Sequence, residues 1–260
     1  SERVPSYRAR TEVGRLAAAL NGMLGQIERA FDARTESEAT LRRFISDASH
    51  ELRTPLATIR GHAELWRNGF MRQGEDVDTV VGRIESESTR MGGLVDDMLL
   101  LAQAESDDGL TFEMCDLRPL LEAEMEGFTE TSDRHFEVGE VTGDEVLVDR
   151  ERLARVLSNL IANAVAHTES GGTIAVSAVN TGGRVEIAVD DDGPGVPEAL
   201  RDRVFDRFAR LDESRSSSQG GSGLGLAIVK AIAEAHGGSV ACLTSPLGGA
   251  RFVVSLPSGR

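Results

Sequence analysis

Apolar residues three and four apart run through the first hundred positions in narrow stripes, and a stripe that narrow is buried only against other helices. The first stripe is Val13, Leu16, Leu20, Leu24, Ile27 and Phe31. The polar stretch Ala33–Ser37 stays helix-compatible, and Leu41, Ile45, Ala48, Leu52, Ile59 and Trp66 carry the pattern on. After Asn68-Gly69 to Gly74 comes a third stripe: Val77, Val80, Ile84, Ser88, Met91, Val95, Met98 and Ala102. The pattern predicts a helical hairpin with too little core to stand alone. A homodimeric four-helix bundle closes it; packing on the rest of its own chain is the alternative.

The pattern ends at Ser106-Asp107-Asp108-Gly109. Beyond it, short strand-like runs (Phe136–Val138, Val146–Val148, Thr173–Val179, Arg184–Val189, Ser239–Leu243, Arg251–Leu256) alternate with helical segments (Leu117–Met125, Arg150–Ala166, Gly223–Ala235). Asp116 and Asp149 stand where N-caps belong. Asn180-Thr181-Gly182-Gly183 reads as a hairpin turn. This part is a mixed α+β domain.

The 260 residues carry 28 Lys+Arg against 43 Asp+Glu, a net charge of −15. That balance argues against a nucleic-acid partner, because phosphate backbones are held by basic surfaces. Anions must be met by local devices: backbone N–H groups, a few Arg, or a cation. Cys115 and Cys242 have no metal-ligand spacing and read as small buried thiols in a reducing compartment. No apolar run approaches the ~18–20 residues that span a bilayer. The start, Ser1-Glu2-Arg3, has neither initiator Met nor signal pattern and reads as a fragment lacking its upstream part.

Four constellations carry chemistry. In Phe44-Ile45-Ser46-Asp47-Ala48-Ser49-His50-Glu51-Leu52-Arg53-Thr54-Pro55-Leu56 the stripe points Ala48 and Leu52 inward, so His50 falls on the outer face. Glu51 can hydrogen-bond one imidazole nitrogen and raise the nucleophilicity of the other. Thr54 lies one turn on, on the same face. Pro55 should bend the helix there. An ordinary surface histidine is the bland alternative.

In Asn159-Leu160-Ile161-Ala162-Asn163-Ala164-Val165-Ala166-His167, two amides project from one helix face at i and i+4. Neutral oxygens suit a hard cation such as Mg²⁺ that also holds phosphates. Asp190-Asp191-Asp192-Gly193-Pro194-Gly195 follows a strand, lacks a calcium-loop spacing, and suits a carboxylate that accepts from a base amine. Gly220-Gly221-Ser222-Gly223-Leu224-Gly225 leads into an apolar helix, where free N–H groups favour phosphate. It is neither a P-loop nor a dinucleotide fingerprint. Ser214-Arg215-Ser216-Ser217-Ser218-Gln219 before it is a candidate lid. Solvated amides, an acidic turn and a plain glycine loop are the competing readings.

Together and in this order, the motifs resemble the transmitter of bacterial sensor histidine kinases across about residues 37–256. His50 to Leu56 looks like the H-box and Asn159 to His167 like the N-box. Asp191-x-Gly193-x-Gly195 looks like the first glycine box, Phe205-Asp206-Arg207-Phe208 like the F-box, and Gly221-x-Gly223-x-Gly225 like the second. Thr11 to Leu16 with Asn21-x-Met23 is similar to the second helix of a HAMP linker.

The resemblance implies a dimeric helical-hairpin bundle followed by a Bergerat-type α/β sandwich. It implies a HAMP remnant and linker over 1–36, a phosphotransfer hairpin over 37–109 and an ATP-binding domain over 110–260. His50 would accept the γ-phosphoryl of ATP and pass it to an Asp of a response regulator. Glu51 would be base or orienting carboxylate, and Thr54 would position water when the regulator is dephosphorylated. Asn163, assisted by Asn159, would bind Mg²⁺, and Asp191 the adenine amine. Gly193, Gly195, Gly221, Gly223, Leu224 and Gly225 would shape the nucleotide pocket, with His167 and Arg207 reaching the phosphates. Ala166 stands where many relatives carry a basic residue, so the phosphate charge would be met by Mg²⁺, Arg207, the start of the last helix, and Arg210 or Arg215. The segment 106–109 is the expected hinge between the domains. The chain would be the soluble, cytoplasmic portion of an inner-membrane receptor, tied to the membrane only through its missing upstream part. His62, His135 and His236 match no motif and read as structural or solvated. A plain ATPase of the same nucleotide fold, or a docking module with a degenerate ATP site, are the rival readings.

Overall fold

The computed structural model describes residues 12–67, 77–104, 109–142, 145–209 and 222–259. The 68–74 connection, the hinge residues 106–108, the 214–219 lid, Gly221, Arg210 and Arg215 lie outside them. The chain divides into two compact units, 1–57 and 58–260.

Unit one is carried by helix α1 (Glu12–Arg67), which crosses its boundary. The helix runs unbroken through 33–37 and through Pro55. Leu20, Ile27, Phe31 and Ile45 are exposed although their spacing is that of a buried stripe. In the single chain these apolar positions have no cover.

Unit two begins with the end of α1 and with α2 (Val77–Ala104). The buried residues of α2 are Val80, Leu94, Leu101 and Ala104, while Val95 and Leu99 remain exposed. The row Val95, Met98, Ala102 is not buried in the single chain, and a second row, Leu94 and Leu101, is. The helix carries two apolar faces, and the one buried here packs on helix α5 (Gly225–Ala235).

The remainder is one helical layer on one sheet. Its further elements are β1 (Glu113–Asp116), α3 (Leu117–Thr129), β2 (His135–Val141), β3 (Glu145–Val148), α4 (Arg150–His167), β4 (Thr173–Asn180), β5 (Arg184–Asp191), β6 (Ser239–Thr244) and β7 (Ala250–Pro257). The main sheet runs β2-β4-β5-β7-β6. Among the described residues only β2 and β4 pair in parallel. Strand β1 pairs with β3 in a separate two-stranded ribbon. The ribbon was not foreseen at β1, where acidic residues flank a run of only two apolar ones.

Alternation sets the inner face. Val176, Val189 and Phe252 form one cross-strand row and Ala178, Ile187 and Val254 the next, all buried. Helix α4 covers them with Leu153, Val156, Leu157, Leu160, Ile161 and Ala164. Each of these Leu, Ile and Val side chains contributes about 1.5–3 kcal/mol when fully buried. The same period of two turns Asp191 to the inner face and Asp190 to the outer. Asp190 pairs there with Arg251 at 3.0 Å.

The expected caps form. Asp116 accepts from the Arg118 N–H at 3.1 Å and Asp149 from the Arg152 N–H at 3.1 Å. Asp149 also takes the Thr111 N–H at 3.0 Å, and its own N–H donates to His236 Nε2 at 3.1 Å. Nδ1 of His236 lies 2.8 Å from the Ile232 carbonyl, so this histidine joins the start of α4 to the end of α5. Gly182 and Gly183 both take positive φ in the β4–β5 turn. Cys115 and Cys242 are buried free thiols, and burial pushes the Cys242 thiol up to about 11.

Candidate functional site

In unit one, α1 presents His50 to solvent. The Thr54 hydroxyl donates to the His50 carbonyl at 3.4 Å, which places it one turn above on the same face. Pro55 has no N–H to return to the Glu51 carbonyl, so the ladder is interrupted directly beside His50. The His50 imidazole is thus exposed beside an acidic neighbour on a locally weakened turn.

In unit two, the end of β5 builds a second centre. Asp191 is 2% exposed. Its Oδ1 accepts the Gly193 N–H at 2.9 Å and the Ala250 N–H at 3.0 Å. Among the described residues no hydrogen bond reaches Oδ2. Burial pushes the Asp191 carboxyl above the usual carboxylate range, and the Ala250 and Gly193 bonds oppose that rise. A buried carboxylate with one oxygen satisfied and one uncommitted selects a ligand that brings its own donor.

Glycines draw three other elements to this point. A Cβ on Gly193 would meet the His167 carbonyl oxygen at 2.6 Å, so the first glycine turn lies on the end of α4. A Cβ on Gly225 would lie 3.1 Å from Asn159 Oδ1, so the first turn of α5 lies over the middle of α4. Gly223, at φ +71°, backs onto Phe208. The Phe208 N–H donates to the Gly223 carbonyl at 2.8 Å, and Phe208 itself is held at φ +58°. A positive φ is costly for an aromatic residue, by about 1–3 kcal/mol, and persists only where its surroundings enforce it.

The sequence-predicted residues therefore fall into two groups. Asn159, Asn163, His167, Asp191, Gly193, Gly195, Gly223, Leu224 and Gly225 gather around the α4–β5–α5 junction, and Arg207 directly precedes Phe208, whose N–H meets Gly223. His50, Glu51 and Thr54 belong to the other unit. Asn163 is half-buried and His167 exposed. Asn159 Nδ2 is buried and unpartnered, although it sits in a well-packed domain. Such an atom fits a site that a ligand completes. The first N–H groups of α5 lack intrahelical partners and face the glycine segment, the arrangement suited to phosphate.

One contact had no signal in the sequence. Asp97 on α2 accepts from Arg155 of α4 at 2.7 Å and from the Ser222 hydroxyl at 3.0 Å. Ser222 Oγ in turn accepts the Leu224 N–H at 3.2 Å. An aspartate on an amphipathic helix reads as a solvated face, and its partners are 58 and 125 residues away.

Two family models match the chain. The His Kinase A (phospho-acceptor) domain matches residues 40–107. The histidine kinase-, DNA gyrase B-, and HSP90-like ATPase family matches residues 148–260. The solved mycobacterial sensor histidine kinase MprB is 31% identical, with a TM-score of 0.51, over 57% of this chain and 99% of that one. The chain belongs to the sensor histidine kinases.

Within that family, the probable sensor histidine kinase TcrY of Mycobacterium tuberculosis is 43% identical over 97% of this chain and 53% of its own length. Full-length ShkA, solved in complex with AMPPNP, is 31% identical with a TM-score of 0.62. That match covers 81% of this chain and 44% of ShkA. The chain spans about half the length of the curated relatives it matches. Among the described residues, no helix of this histidine kinase is long and apolar enough to cross a membrane. The match over 40–107 is what separates it from a plain ATPase of the nucleotide fold.

Proposed function

We propose that the chain is an ATP-dependent protein-histidine kinase that autophosphorylates His50 and passes the phosphoryl group to an aspartate of a response regulator. The observation that carries this reading is the pairing of an exposed His50 on α1 with a separate unit built around Asp191, Asn159 and the glycines of α5.

In this reading, Oδ2 of Asp191 accepts from the adenine amine while Oδ1 stays on the Gly193 and Ala250 N–H groups. The triphosphate lies along the start of α5, with Arg207 and His167 as charge partners. Asn163 and Asn159 offer amide oxygens to Mg²⁺, which when bound screens the phosphate charge. The buried, unpartnered Nδ2 of Asn159 is a donor, and in this reading it is met by a phosphate oxygen. One imidazole nitrogen of His50 attacks the γ-phosphorus, the new N–P bond replaces the β–γ bridging P–O bond, and ADP leaves. Glu51 takes or holds the imidazole proton. Positioning and charge stabilisation supply most of the rate in such a transfer. Thr54 orients water when the regulator's acyl phosphate is hydrolysed, the second output.

The reading assigns 1–36 to a signalling linker, 37–109 to the phosphotransfer hairpin and 110–260 to nucleotide binding. It makes the active species a homodimer, since Ile45, Leu56, Leu65, Trp66, Val81, Val95 and Leu99 are uncovered in the single chain. It also makes the chain the cytoplasmic portion of a longer membrane sensor, which suits relatives named sensors and twice its length.

Titrating the chain with ATP, with and without Mg²⁺, tests the nucleotide half. Asn163→Ala should abolish the gain in affinity that Mg²⁺ gives, and Asp191→Ala should weaken ATP at least ~10-fold. Wild-type affinity in both variants would defeat the assignment.

A further inference from the structure

Gly249 lies in the turn between β6 and β7 and belongs to none of the motifs above. It has no room for a side chain. A Cβ there would collide with Asp191 Oδ1 and would lie 2.5 Å from the Gly193 nitrogen and 2.6 Å from the Asp191 carbonyl oxygen. Two of those three atoms are backbone, so no rotamer change relieves the clash.

The surroundings of Gly249 are fixed on every side. Its N–H donates to the Asp191 carbonyl at 3.1 Å, and the next N–H, of Ala250, donates to Asp191 Oδ1. Its carbonyl accepts the Ser245 N–H at 3.0 Å, and the turn is closed by Gly248 N–H on the Ser245 carbonyl and Leu247 N–H on Ser245 Oγ. From the other side Gly195, at φ +69°, packs so close that its own Cβ would lie 3.1 Å from the Gly249 carbonyl oxygen. The carboxylate of Asp191 is thus clasped between the β6–β7 turn and the first glycine turn.

We propose that Gly249 is a positioning residue for base selection: its missing side chain lets the turn grip Oδ1 of Asp191 and so commits Oδ2 to the ligand. A purine with a 6-amino group donates to that oxygen. A 6-oxo purine brings an acceptor against an acceptor and is rejected. The inference rests on the reading of Asp191 as the residue that meets the base.

The test uses the full chain and compares Mg-ATP with Mg-ITP, which differ at that position of the ring. The parent should bind ATP ~10-fold or more tighter than ITP. Gly249→Ala should weaken ATP by about that factor, leave ITP within ~3-fold, and bring the ratio near 1. Gly248→Ala is the control, because Gly248 has positive φ in the same turn but nothing within 4 Å of its Cβ. It should lower the melting temperature and keep the ratio. A Gly249→Ala chain that folds and keeps the parent's ratio overturns the proposal. If that variant does not fold, amide resonances of the parent decide. The Gly193 and Ala250 signals should move more with ATP than with ITP, and identical shifts overturn it. A parent that does not distinguish the two nucleotides defeats the reading of Asp191 itself. Discrimination lost in Asp191→Ala but kept in Gly249→Ala defeats only the role of Gly249.

Discussion

Arg155 of α4 meets Asp97 of α2 in a charge-assisted hydrogen bond of 2.7 Å, and the second oxygen of Asp97 takes the Ser222 hydroxyl at 3.0 Å. One carboxylate on α2 therefore holds both the helix that carries Asn159 and Asn163 and the segment that opens α5. Arg155 is 44% exposed, so the pair is worth only about 0.5–1 kcal/mol. Replacing Asp97 with Ala should quicken hydrogen exchange along residues 94–104 by about two- to fivefold, with the sheet unaffected. Unchanged exchange on α2 would show that Leu94 and Leu101 alone hold the helix.

Asp191 carries a pH prediction. Burial raises its folded pKa above the ordinary 3.8. A raised carboxyl pKa stabilises the fold below 3.8, and that contribution is lost as pH rises through the folded value. Asp191→Asn keeps an oxygen for the Gly193 and Ala250 N–H groups and removes the buried charge. The variant should melt higher than the parent at neutral pH, with the gain shrinking towards acid, while ATP affinity falls. A melting difference independent of pH would contradict this account.

Asn159 offers the clearest separation of stability from binding. Its Nδ2 is buried without a partner, and a buried unsatisfied donor costs about 1–3 kcal/mol. Asn159→Leu should raise the melting temperature of the nucleotide-free chain and weaken Mg-ATP at least ~10-fold. A variant that melts lower and binds as well as the parent would mean the amide serves the fold alone.

Gly193 tests the junction between β5 and α4. Its Cβ would stand 2.6 Å from the His167 carbonyl oxygen, so Gly193→Ala must shift backbone on one side. A loss of about 1–3 kcal/mol is expected in denaturant unfolding, together with loss of ATP binding. Normal binding would mean the close approach has no bearing on the site.

The residues that were legible in the sequence are those whose signal is local. Asp116 and Asp149 announce their helices because a cap needs only the next two or three N–H groups. The alternation of β5 turns Asp191 inward because the period of a strand is fixed. Gly182-Gly183 marks its turn because both take positive φ, which glycine adopts without strain. What was not legible depends on distant partners. Asp97 looks solvated until Arg155 and Ser222 are folded onto it. Gly249 looks like any loop glycine until Asp191 lies against it. On α2 the spacing marked the Val95 row but not the second apolar row, Leu94 and Leu101, which is the one buried within the chain.

The central claim is that His50 is the phosphoryl acceptor. Incubating the chain with γ-labelled ATP and Mg²⁺, beside His50→Gln, tests it most directly. The account predicts label on the parent that is lost in acid and survives base, as a phosphoramidate does, and no label on His50→Gln. Label that persists in His50→Gln, or that resists acid, would contradict it.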